Sequence, residues 1–184
     1  MSYAKRMKIY FARHGRSNYN DRRLCNADPA VNVYLTPVGE EQAKMLALTL
    51  MDIKIEHIFV SELKRTQQTA KIINEFHCAP IEVDPLLNDH RSGFEGKPFP
   101  MLKKALDAAG NRWTVRFNDG ESIEDMKERV AAFLDELRTK PYEIVLVVTS
   151  QWIVRAAVAL VQGLNNEDAW KLEVEQGSYL ELEV

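Results

Sequence analysis

Apolar positions along the chain fall into short continuous runs that alternate with stretches of helical spacing. The run at 8–12, with Ile9, Tyr10, Phe11 and Ala12, predicts a short buried strand. Thr36-Pro37, followed by Glu40 and Glu41, has the makeup of a helix start: a hydroxyl cap, a proline in the first turn, and carboxylates near the positive end of the dipole. Ala43, Leu46, Ala47 and Leu50 carry that helix onward. A second strand is predicted at 57–60, with Ser61 as the cap of the next helix, which holds Leu63, Thr66, Ala70 and Ile73. A third strand is predicted at 80–83. Residues 86–100, rich in turn formers and charge, read as a functional loop. Ile123, Met126, Val130, Phe133 and Leu137 fall on one face of an amphipathic helix over 122–137. The run at 144–148 is apolar throughout, as a central parallel strand covered on both faces requires. A helix over 152–161 follows, and 178–184 alternates as a more exposed final strand.

This order predicts an α/β fold, with a mostly parallel central sheet and helices on both faces. The 184 residues suit one domain, 1–184, since no repeat, low-complexity tract or linker divides them. A net charge of -3 excludes the broad basic surface that non-specific nucleic-acid binding needs, so any basic cluster is local. Cys25 and Cys78 are too few for a disulfide framework and have no zinc spacing, and they read as reduced thiols of a cytoplasmic protein. The run at 9–12 is far shorter than a signal core, and no stretch is long enough to span a bilayer. No cluster of His, Asp and Glu has metal-ligand spacing, and no cofactor is implied.

Three strand-to-helix junctions carry the candidate chemistry: Arg13-His14 after the first strand, 61–65 after the second, and Thr149-Ser150 after the central one. In open α/β sheets ligands sit at the carboxyl ends of the strands, where helix N-termini favour anions. An imidazole at such an end can attack phosphorus, and a neighbouring guanidinium can grip phosphate oxygens in a bidentate way. Arg16, Arg22 and Arg23 add positive charge to the same segment of an acidic chain. Taken alone, Arg13-His14-Gly15 is also what a basic surface turn looks like. His57 and His77 belong to no motif and read as surface or packing residues.

The setting of that tripeptide resembles the histidine phosphatase superfamily, which includes the cofactor-dependent phosphoglycerate mutases. The segment from Arg13 to Asn20 is similar to the family's opening signature, with Ser17 and Asn20 at two of its polar positions, which the resemblance implies bind phosphate. Leu35-Thr36-Pro37 with Gly39 resembles the start of its first helix. Ser61-Glu62-Leu63-Lys64-Arg65-Thr66 resembles the second signature and places a second phosphate-binding arginine at Arg65. Leu87-Asn88-Asp89, followed by Gly93-Phe94-Glu95-Gly96, is similar to the acid loop. Gly120-Glu121-Ser122, with Arg129 further on, resembles the helix start before the last core strand. The resemblance spans nearly the whole chain in the right order. It implies a phosphoglycerate mutase-like three-layer α/β/α sandwich.

It also implies a mechanism. His14 attacks the phosphoryl group and carries it as phosphohistidine, while Arg13 and Arg65 neutralise its oxygens. Asp89, where many relatives have glutamate, protonates the leaving alkoxide and then helps deprotonate water. Glu95 and Glu121 are the fallback acids. The family's last signature departs here: its second histidine falls on Ser150 and its glycines on Gln151 and Trp152, although Arg155 still matches. A serine hydroxyl can donate a hydrogen bond to the phosphoryl group but carries no positive charge. Arg16 also departs from the family's usual glutamate or glutamine, and is a candidate substrate contact that restores charge.

The leading expectation is therefore a phosphomonoester hydrolase acting on a small phosphorylated molecule or a phosphoprotein, with activity reduced by the loss of the second histidine. The alternative is a phosphatase-like protein that binds a phosphorylated ligand without turnover. A mutase ranks last, because the chain is short for the segment that closes over mutase substrates. No nucleic acid or membrane is implied as a partner, and residue types fix no oligomeric state.

Overall fold

The apolar runs become the three inner strands of a five-stranded sheet: β1 (Lys8–Arg13), β2 (His57–Val60) and β4 (Ile144–Thr149), with β3 (Ile81–Val83) and β5 (Tyr179–Glu183) at the edges. The structure is a computed structural model, which describes residues 6–184. The strand order is β3-β2-β4-β1-β5, parallel except for β5, which runs antiparallel to β1.

Neighbouring side chains of a strand point to opposite faces, so a strand covered on both sides has no polar positions to alternate. Ile9, Phe11, Phe59, Val145 and Val147 face one core, which they share with Met126, Val130 and Phe133 of α5 (Ile123–Arg138) and Ile153 and Ala157 of α6 (Gln151–Gln162). Tyr10, Ala12, Ile58, Val60, Leu146 and Val148 face the other, against Leu46, Ala47 and Leu50 of α2 (Pro37–Leu50) and Ala70 and Ile73 of α3 (Lys64–Asn74). The result is the predicted three-layer α/β/α arrangement. Thr36 caps α2 by accepting a bond from the Gly39 N–H, and Ser122 caps α5 in a reciprocal box with Asp125. Among the described residues, no helix is long and apolar enough to cross a membrane.

Among the described residues, three α-helices have no counterpart in the predicted pattern: α1 (Asn18–Arg22), α4 (Phe99–Ala108) and α7 (Asn166–Lys171). The loop assigned to 86–100 therefore ends as α4 begins, with Leu102 and Leu106 buried on one face of that helix. Ser61 does not cap α3. The helix starts later, at Lys64, and the Ser61 hydroxyl instead bonds the Thr66 hydroxyl at 2.7 Å, tying the end of β2 to the first turn of α3.

Candidate active site

The carboxyl ends of β1 and β4 lie side by side, with Arg13 opposite Thr149 in the register. His14 follows at once, its main-chain N–H donating to the Thr149 carbonyl at 3.0 Å. The turn after it is unusually close to α2: a Cβ at Gly15 would lie 2.2 Å from the Gly39 carbonyl oxygen, and one at Gly39 would lie 2.0 Å from that of Arg16. Two glycines thus let the β1 turn dock on the first turn of α2, and the Gly15 N–H donates to the Thr69 hydroxyl of α3 at 3.2 Å.

His14 is 3 % exposed. Its imidazole Nδ1 lies 2.7 Å from the Gly15 carbonyl oxygen, which can only accept, so Nδ1 carries the proton. Nε2 then presents its lone pair, and the Arg65 Nε–H donates to it at 3.0 Å. Burial pushes the His14 imidazole well below 6.5, and the charges of Arg65 and Arg13 push the same way, outweighing the Gly15 bond. The ring is neutral at neutral pH and aims an unprotonated nitrogen at a guanidinium.

Arg65 is itself held from three sides. Its Nη1 donates to the Asn26 side-chain oxygen at 2.7 Å, and its Nη2 to the Asn26 carbonyl at 2.9 Å and to Asp89 Oδ2 at 3.2 Å. Arg13 donates from Nη1 to the Val174 carbonyl at 2.6 Å, while its buried Nε has no hydrogen-bond partner among the described residues. Asp89 also accepts from the His90 main-chain N–H through Oδ1 at 2.9 Å. Ser150 stands at the N-cap of α6, buried, its Oγ likewise without a partner among the described residues.

All these groups line one cavity of about 300 Å³: Arg13, His14, Arg65, Asp89, Ser17, Asn20 and Ser150, together with Asn26, Trp152 and Arg155. Four arginines, Arg13, Arg23, Arg65 and Arg155, line it with a single acidic residue, Asp89. With the N-terminus of α6 adding its partial positive charge, the cavity is built for an anion. Ser17 and Asn20 form the reciprocal cap of α1, which holds the lining in shape: the Ser17 N–H and hydroxyl both meet the Asn20 side-chain oxygen at 2.9 Å. Arg16 is not brought to the cavity. Its exposed side chain pairs with Asp21. Neither fallback acid lines the cavity: Glu121 pairs with Arg129, and Glu95 accepts from the Ala27 N–H at 2.8 Å. The Cys25 thiol, also in the wall, is raised to about 11 by burial, with the charges of Glu95 and Asp89 adding, so it stays protonated.

Asn26 and His90 are lining residues that the sequence reading did not pick out. Asn26 lies 39 residues from the arginine it orients, in a stretch with no periodicity, so no local pattern points to it.

Residues 9–184 match the model of the histidine phosphatase superfamily, branch 1. The chain is 31 % identical to the fructose-2,6-bisphosphatase TIGAR B of Danio rerio, over 96 % of this chain and 72 % of that protein. It is 26 % identical to the adenosylcobalamin/alpha-ribazole phosphatase of Escherichia coli, over 97 % and 90 %. Among solved structures, the alpha-ribazole phosphatase of Shigella flexneri superposes with a TM-score of 0.83 at 27 % identity, covering 95 % of this chain and 89 % of that one. With the fold, the docked β1 turn and the enclosed imidazole all in place, the chain belongs to the histidine phosphatase superfamily, branch 1.

Proposed function

We propose that this protein hydrolyses the phosphomonoester of a small phosphorylated metabolite through a phosphohistidine intermediate. The observation that carries the reading is the neutral His14 ring, with its Nε2 lone pair 3.0 Å from the Arg65 Nε–H at the wall of a cavity that Arg13 and Asp89 also line. In the first step Nε2 forms a bond to phosphorus while the ester P–O bond breaks. The bonding pair leaves on the alkoxide, which takes a proton from Asp89. In the second step Asp89 receives a proton from water as that oxygen attacks phosphorus and the P–N bond breaks, returning the lone pair to Nε2.

Arg13 and Arg65 stand where charge grows on the phosphoryl oxygens. The partnerless Arg13 Nε and Ser150 Oγ are donors suited to those oxygens, since a buried donor without a partner is costly until something accepts from it. Ser17 and Asn20 support the phosphate end of the cavity. Ser150 stands in place of the family's second histidine and supplies a neutral donor there, helped by the α6 N-terminus. Arg16, turned to Asp21, takes no part. Binding without turnover gains no support from relatives that bear the names of phosphatases.

The test is hydrolysis of p-nitrophenyl phosphate. His14→Ala is expected to lower kcat at least a thousandfold, and equal rates in the two proteins would end the proposal. Ser150→His is expected to raise kcat, because it restores a group that can carry positive charge to the same wall. Vanadate binding without turnover in the unaltered protein would favour the non-catalytic alternative.

A further inference from the structure

Behind the loop that carries Asp89 lies an ion pair that the proposed chemistry does not use. Arg129 of α5 reaches back into this loop: its Nη1 donates to the Leu86 carbonyl at 2.6 Å and its Nη2 to the Asp89 carbonyl at 3.0 Å. The same guanidinium grips the Glu121 carboxylate, with Nη2 at 2.7 Å and Nε at 3.0 Å. Both side chains are mostly buried, 18 % and 12 % exposed. Burial pushes the Glu121 carboxyl up, but the bonds from Arg129 and from the Arg91 N–H outweigh it and hold the group below its usual range.

Glu121 adds three bonds of its own to the loop. Its Oε1 accepts from the Arg91 N–H at 2.9 Å, its N–H donates to the Arg91 carbonyl at 2.7 Å, and its carbonyl lies 3.1 Å from His90 Nε2. A Cβ at Gly120 would stand 2.5 Å from the Arg91 carbonyl oxygen and 2.6 Å from the Gly93 nitrogen, so only glycine permits this approach. Main-chain groups of Leu86, Asp89 and Arg91 are therefore tied to one buried ion pair, and none of the ties touches the Asp89 carboxyl itself.

That arrangement matters because an aspartate has a short reach. Where its carboxyl stands is set by where its backbone stands, and a general acid misplaced by about 1 Å can lose on the order of a hundredfold in rate. We propose that Arg129 is a positioning residue: paired with Glu121, it holds the Asp89 main chain where the carboxyl can hand its proton to the departing oxygen. The proposal rests on Asp89 acting as the general acid.

Dependence on the leaving group separates positioning from mere stability. The measurement is kcat/KM, which reports the step in which the leaving group departs, for p-nitrophenyl, phenyl and p-methylphenyl phosphate. These esters differ in the basicity of the oxygen released and little in bulk. p-Nitrophenolate departs with little help, whereas p-methylphenolate needs the proton. Arg129→Lys keeps a cation beside Glu121 but cannot serve both carbonyls. It is expected to lower the p-methylphenyl to p-nitrophenyl ratio about tenfold, as Asp89→Asn does. Combined with Asp89→Asn it should lower the ratio no further, because the proton it positions is already gone. Glu121→Gln, which keeps the shape and removes the charge, is read on the same ratio if Arg129→Lys fails to fold. An equal loss on all three esters, or a further loss of ratio in the double variant, overturns the positioning role and leaves the Asp89 reading intact. An unchanged ratio in Asp89→Asn overturns both. Hydrolysis indifferent to His14→Ala overturns the proposed function itself.

Discussion

The proposed reaction sets His14 two demands that conflict in water: to be a nucleophile, and to sit among cations that attract phosphate. The fold meets both by burying the ring, fixing the Nδ1 proton on the Gly15 carbonyl and setting Arg65 against the free nitrogen. Because the imidazole is held well below 6.5, the acid limb of kcat/KM that belongs to His14 should lie below that value. The same shift has a sign for stability. Below about 6.5 the unfolded chain takes a proton on this imidazole that the native state refuses, so unfolding becomes easier as pH falls. The buried His90 ring, also lowered, acts in the same direction. Urea midpoints at pH 7.5 and 5.5 should therefore drop more in the native sequence than in a His14→Gln variant. An equal drop would show that the ring is not held neutral. Arg13, His14, Arg65 and Asp89 were legible in the sequence because each sits in a run of neighbours with a recognisable order. Asn26 meets Arg65 across 39 residues, and no local order reveals that contact. Glu121 and Arg129 stand in a recognisable helix start, but the Arg129 bond to the Asp89 carbonyl spans 40 residues and is not legible there.

At the scale of elements, the site depends on how tightly one turn is docked. The β1 turn touches α2 through Gly15 and Gly39, with no room for a methyl group on either. Gly15→Ala should destabilise the protein by about 3 kcal/mol, seen as a lower midpoint in a thermal melt, since backbone on both sides must move. A melt like that of the native sequence would show that the turn is loosely packed. The inner strands and the helices α2, α3, α5 and α6 were legible because each buries a face with clear periodicity. α1 and α7, of five and six residues, are too short to show a period. α4 opens at Phe99-Pro100, and the prolines and turn formers around its start hide its period in the polar loop before it. The Ser61 cap misled because a serine after a strand can serve the turn as well as the helix, and here Thr66 claims its hydroxyl.

For the molecule as a whole, the sheet gathers chemistry from three distant parts of the chain onto one rim, while two apolar layers hold it from either side. One wall of the resulting cavity has an aromatic backing. Trp152 lies edge-on to Trp170 with ring centres 5.1 Å apart, and Trp170 lies edge-on to Trp113 at 5.5 Å. These are all three tryptophans of the chain, and the innermost is part of the cavity lining. The tryptophan fluorescence of this protein is therefore gathered at one spot, with the indoles close enough to pass excitation along the row. Saturating vanadate should change the emission of the native sequence, and Trp152→Phe should remove most of that response while the remaining two indoles still glow. An indole in the cavity wall offers an optical gauge of occupancy that needs no dye attached.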